Sequence, residues 1–172
     1  LLLNRSRSRE IPIDGGIRCV QVARDRRKRC IRAPNHRESR EFAQTLESKS
    51  MGQATSPIAL VVEDDRWQRE LIVVLLEESE MDVIQCDTAE AALGILERLG
   101  QGVVMIFTDV NLAGTIDGVE LAHVAAARHP NVRVTVTSGT GLKRPLPDGV
   151  TFLPKPWLAL DVLREAERSV QH

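Results

Sequence analysis

Ile58-Ala59-Leu60-Val61-Val62-Glu63-Asp64-Asp65 decides how this chain is read. Five apolar residues run straight into three acids. A run this short and this continuous predicts a strand buried on both faces, with its polar exit at the carboxyl end. The same alternation repeats downstream. Arg66–Glu80 has helical spacing, with Leu71, Leu75 and Ile72, Leu76 expected on one side. Asp82–Cys86 reads as a brief strand. Asp87-Thr88-Ala89-Glu90 resembles a helix-start box, and the helix it opens stops at Gly100. Val103–Phe107 is a fully apolar strand leading to Thr108 and Asp109. Asp117-Gly118-Val119-Glu120 opens a helix closed by Pro130. Val132–Thr137 and Thr151–Leu153 read as the fourth and fifth strands, and Leu158–Val170 as the last helix. Strands alternating with helices predict an α/β fold, a doubly wound five-stranded parallel sheet with helices on both faces.

Composition narrows the classes of function. The 172 residues are 42% hydrophobic and 27% charged, an ordinary soluble balance that excludes a fully disordered or collagen-like chain. The longest apolar runs, Leu71–Leu76 and Val103–Phe107, fall far short of the roughly 18 residues a membrane span needs. Cys19, Cys30 and Cys86 form neither a disulfide framework nor a CxxC metal site, which suggests a reducing, cytoplasmic compartment. Aromatic residues make up 3% and Tyr is absent, so stacking platforms for single-stranded nucleic acid are not expected.

Charge divides the chain. Residues 1–50 carry 13 Lys and Arg against 6 Asp and Glu, while the remainder carries 10 against 18. We therefore expect two parts, a basic leader over 1–55 and a folded domain over 56–172. Three readings of the leader stay open: a disordered or non-native segment with Met51 as the real start, a basic arm for nucleic acid built on Arg24–Arg29, or an extension packed on the domain.

In open parallel sheets the working site lies beyond the carboxyl ends of the strands. The residues at those ends are Glu63, Asp64, Asp109, Ser138 and Lys155. Three crowded carboxylates repel one another, and a hard divalent cation such as Mg²⁺ relieves that repulsion. Lys155 suits a phosphoryl oxygen as a compact point charge, and Ser138 can donate to another. Asp109 is a candidate nucleophile, since carboxylates form aspartyl-phosphates.

Val61-Val62-Glu63-Asp64-Asp65, Phe107-Thr108-Asp109-Val110-Asn111, Val136-Thr137-Ser138-Gly139 and Leu153-Pro154-Lys155-Pro156 resemble, in this order, the response regulator receiver domain of two-component signalling. The resemblance covers residues 57–170. It implies the flavodoxin-like strand order 2-1-3-4-5 and a single-domain regulator, a signalling protein that catalyses at most its own phosphorylation and dephosphorylation. It implies Asp109 as phosphoacceptor and Glu63, Asp64, Asp109 and the Asn111 backbone carbonyl as Mg²⁺ ligands. Ser138 would be the switch hydroxyl, with Thr137 as its competitor, Phe152 the switch aromatic, and Lys155 the phosphate-sensing cation before a cis Pro156. A histidine kinase or histidine phosphotransfer protein would be the donor, docking near the first helix, whose outer face is expected to offer Trp67, Val73 and Val74. An unidentified protein would receive the signal. No membrane partner is implied, and nucleic acid only through the basic leader.

The chain departs from the family between Ser138 and Lys155. Thr140–Val150, with Pro145, Pro147, Gly141 and Gly149, reads as a loop where the family fits its fourth helix, so that helix is expected to be shortened or missing. Ala113 and Gly114 stand where a loop proline is common. These departures keep a second reading open, a receiver-fold interaction module that is not phosphorylated. A Mg²⁺-dependent aspartyl-phosphate hydrolase is disfavoured, because Asn111 stands where such chemistry would want a second acid.

Overall fold

The strand over the apolar run that follows Gly102 extends two residues further than its hydrophobicity suggests, because Thr108 and Asp109 continue the ladder with the neighbouring strand. A computed structural model describes residues 56–171, and the basic leader lies outside them. The strands are β1 (Ile58–Val62), β2 (Asp82–Cys86), β3 (Val103–Asp109), β4 (Arg133–Ser138) and β5 (Thr151–Pro154). The described helices are α1 (Arg66–Glu78), α2 (Ala89–Leu99), α3 (Gly118–Arg128) and α4 (Ala159–Val170). All pairings are parallel, in the order β2-β1-β3-β4-β5. The expected topology is therefore the one observed.

Successive residues of a strand point to opposite faces, and here both faces are apolar. From β1, Leu60 and Val62 enter one core with Ile106, Val134, Val136 and the buried sides of α2 and α3. Ala59 and Val61 enter the other with Met105, Phe107 and the buried sides of α1 and α4. Phe107 meets Trp157 edge to face, with ring centroids 5.9 Å apart. Cys86 is buried at the end of β2, as an apolar filler should be.

Three helices start on side-chain caps that quench their first amides. Asp65 accepts from the Gln68 amide at 2.8 Å, Thr88 from Ala91 at 3.3 Å and Asp117 from Glu120 at 2.9 Å. Two expectations are corrected here. Thr88, not Asp87, caps α2, which frees Glu90 from a helix-start box. In α1 the buried residues are Ile72, Val73 and Leu76, while Trp67, Leu71 and Val74 face outward. Val73 therefore leaves the outer face and Leu71 joins it.

No helix forms between β4 and β5. Residues 139–150 instead lie beside the N-terminal half of α3. Leu142, Leu146 and Val150 pack against the core, Arg144 pairs with Asp117, and the His123 ring nitrogen sits 3.2 Å from the Pro145 carbonyl oxygen. Gly141 and Gly149 take positive φ values of 77° and 81°, a region side chains resist.

Candidate functional site

The parallel order brings β1, β3 and β5 to a common rim, and their polar exits meet there. Glu63 leaves β1 with 1% of its surface exposed. Asp109 ends β3 at 8%, and Asp64 faces solvent. Single carboxylate oxygens of Glu63, Asp64 and Asp109 all lie within 4.8 Å of one another. Lys155 follows β5, and its amide donates to the Ser138 carbonyl at 2.9 Å, which locks the ends of β4 and β5 together. Its peptide to Pro156 is cis, as expected.

The ammonium of Lys155 spans two of the acids. Nζ donates to Glu63 Oε2 at 2.9 Å and lies 3.2 Å from Asp109 Oδ1. Burial pushes the Glu63 carboxyl above its ordinary value, despite the pull of Lys155. Burial acts against the charge on Lys155 too, yet the hydrogen bond and charge of Glu63 and the charge of Asp109 hold its pKa above the usual lysine value. Asp109 Oδ1 is buried, with the Lys155 ammonium as its polar partner.

These residues fit a hard divalent cation. The ligand set is all oxygen, its carboxylate oxygens converge within 4.8 Å, and it carries more negative charge than one lysine neutralises. The exposed position of Asp64 leaves one side of the cluster open to water.

The remaining expected residues take the following places. Ser138 ends β4, is 1% exposed, and its Oγ accepts from the Thr140 amide at 3.2 Å. Thr137 lies directly opposite Asp109 in the ladder and is fully buried. Phe152 pairs with Val136 on edge strand β5 and is half-buried. Asn111 is exposed in the loop after β3.

Three supporting residues had no local signal that sequence reasoning used. Arg69 reaches back from α1 and donates to the Glu63 carbonyl and, at 3.4 Å, to that of Asp64, so it holds the acid turn. Gly118 starts α3 against the end of β3. A Cβ there would stand 1.9 Å from the Asp109 carbonyl oxygen. The pair Asp117-Gly118 was legible as a helix start but not as a close approach. Glu90 reaches from α2 to the loop after Asp109, accepting from the Thr115 amide and hydroxyl, both at 2.7 Å. Its partners are 25 residues away, beyond any short-range pattern.

Comparison with known proteins agrees with this geometry. The family model described as response regulator receiver domain matches residues 59–164. The response regulator protein FleR of Pseudomonas aeruginosa is 34% identical over 82 residues, which is 48% of this chain and 17% of that protein. The chain thus aligns with only a small part of that relative. The receiver domain of NtrX from Brucella abortus superposes with a TM-score of 0.55 at 25% identity, covering 66% of this chain and 98% of that one. A CheY-like receiver domain protein from Methanospirillum hungatei gives 0.61 at 20% identity, covering 68% and 95%.

Proposed function

The chain belongs to the response regulator receiver domain family of two-component signalling, and from that premise we propose that Asp109 accepts a phosphoryl group from a phosphohistidine donor, with Mg²⁺ held in the acidic cluster. The observation that carries this reading is the single rim where three carboxylates converge while Lys155 pairs with those of Glu63 and Asp109.

In the proposed step an Asp109 carboxylate oxygen forms a bond to phosphorus. The P–N bond of the donor breaks, and its electron pair leaves with the imidazole nitrogen, which takes a proton from water. Glu63, Asp64, Asp109 and the Asn111 carbonyl would hold the metal, which supplies positive charge to the phosphoryl oxygens. Lys155 is already between Glu63 and Asp109 and would keep contact with the new phosphoryl group. Ser138 would turn its hydroxyl toward a second oxygen, exchanging its bond from the Thr140 amide. The added charge of about −1.5 to −2 then biases the β4–β5 surface, including half-buried Phe152. The domain would catalyse at most its own phosphorylation and dephosphorylation.

The donor would be a histidine kinase or histidine phosphotransfer protein. Trp67, Leu71 and Val74 on α1 form the exposed apolar surface such a protein would meet, and Trp67 is 77% exposed. Among the described residues no helix is long and apolar enough to cross a membrane. We assign the site to the cytoplasm, where phosphohistidine donors act, and the receiver of the signal to a further protein.

The test is intact mass after incubation with Mg²⁺ and a small phosphodonor. One phosphoryl adduct is expected, lost on chelation and in Asp109→Asn. Tight Mg²⁺ binding without any adduct would favour the second reading, an interaction module that is not phosphorylated, which the missing helix between β4 and β5 keeps in play.

A further inference from the structure

We propose that Glu90 is a positioning residue for the phosphoacceptor site: it anchors the loop 110–117, and through it the backbone around Asn111, in the place that metal binding needs. This rests on the reading of Asp109 given above.

The loop leaves β3 at Asp109 and re-enters the fold at Gly118. Its near end is tied to the strands, since the Val110 amide donates to the Thr137 carbonyl at 2.9 Å and the Gly118 amide to the Val110 carbonyl at 3.0 Å. The second of these bonds closes residues 110–118 into a ring of chain, and the first ties that ring to β4. A ring of this size with Gly114 at φ 115° and without a proline has many conformations of its own. Something outside it must select one.

The start of α2 does so. Glu90 Oε1 accepts from the Thr115 amide at 2.7 Å, the Thr115 hydroxyl at 2.7 Å and the Ile116 amide at 3.2 Å. Three donors on one ionised oxygen are charge-assisted and directional. The second oxygen closes over Gly114, where a Cβ would stand 2.6 Å from it. Thr88, the cap of the same helix, bridges Ala113 in parallel fashion. The carboxylate, the glycine and the threonine are therefore one matched device. It grips the far side of the ring, and Leu112 packs into the core between the grip and Asn111. Asn111 itself is exposed and makes none of these bonds, so its backbone direction follows from the two sides that are held. Groups that orient a metal ligand from behind typically contribute 10–100-fold in affinity.

The test is a Mg²⁺ titration of the full chain followed by backbone amide NMR, for the wild type, Glu90→Ala and Glu90→Gln. Glu90→Ala should weaken Mg²⁺ binding about ten-fold and expose the Thr115 and Ile116 amides to hydrogen exchange. Glu90→Gln keeps an acceptor oxygen and should recover most of both. Unchanged Mg²⁺ affinity in Glu90→Ala, with those two amides unprotected, overturns the positioning role while leaving the proposed function standing. Retained protection of the two amides in Glu90→Ala overturns it as well. A wild type that shows no response to Mg²⁺ overturns the proposed function, and this inference with it.

Discussion

Asp64 and Asp65 are adjacent, identical in chemistry and both exposed, yet the structure gives them different work. Asp65 accepts the Gln68 amide at 2.8 Å and caps α1, while Asp64 stands in the carboxylate cluster. Asp65→Ala should cost about 1 kcal/mol of stability in urea unfolding and leave Mg²⁺ binding intact. Asp64→Ala should do the reverse. Gly118 is the most constrained residue beside the site. A methyl group there meets backbone, the Asp109 carbonyl oxygen at 1.9 Å, and cannot be relieved by a rotamer change. Gly118→Ala should lower stability by about 3 kcal/mol, the upper end of overpacking costs, as read from the urea midpoint, and should disturb the Asp109 amide signal. Glu90 sets an acid limit on its loop. The Thr115 hydroxyl, its largest cause, then Glu90's own backbone amide and the loop amides of Thr115 and Ile116 hold the carboxyl below its usual value. A depressed carboxylate stabilises the fold above its unfolded pKa, and that contribution disappears as pH falls through the depressed value. Protection of the Thr115 and Ile116 amides should therefore persist below the ordinary glutamate range and then collapse, a step absent in Glu90→Gln.

At the scale of elements, α2 carries a glycine in its interior. Gly94 meets nothing within 4 Å of its would-be Cβ. Gly94→Ala should stabilise the domain by about 0.5–1 kcal/mol, measured by thermal or urea unfolding, with Mg²⁺ binding unaffected. The elements themselves were largely legible in the sequence. β1 and β2 have the residues expected of them, the first as a continuous apolar run and the second as a short β-branched stretch that begins on Asp82 and ends on Cys86. Strand ends on β3, β4 and β5 move by one or two residues, because the ladder carries Thr108, Asp109, Ser138 and Pro154 along with their neighbours. The face of α1 was not legible. Six apolar residues in a row, Leu71 to Leu76, carry no phase, so only docking on the sheet separates buried Val73 from exposed Leu71. The rim acids, Ser138 and Lys155 were readable because strand ends are readable. Glu90 and Arg69 were not, since they act on backbone groups across turns and loops.

For the molecule as a whole, the strand order matters more than any single motif. Placing β3 between β1 and β4 puts Asp109 beside the acids of β1 on one side and Ser138 on the other. Edge strand β5 delivers Lys155 to the same rim, tied to Ser138 through the backbone. The loop 139–150, held by Leu142, Leu146 and Arg144, takes the place of a helix directly behind Ser138. Movement of Ser138 would therefore be felt by a strap of chain rather than by a rigid helix. The central claim remains that Asp109 is the phosphoacceptor. Its most direct test is borohydride reduction of the protein after exposure to Mg²⁺ and a phosphodonor, followed by peptide mass mapping. An aspartyl-phosphate reduces to homoserine, so homoserine is expected at position 109 and at no other acid. Homoserine at position 64 would contradict it, as would an unreduced Asp109 in protein shown to bind Mg²⁺.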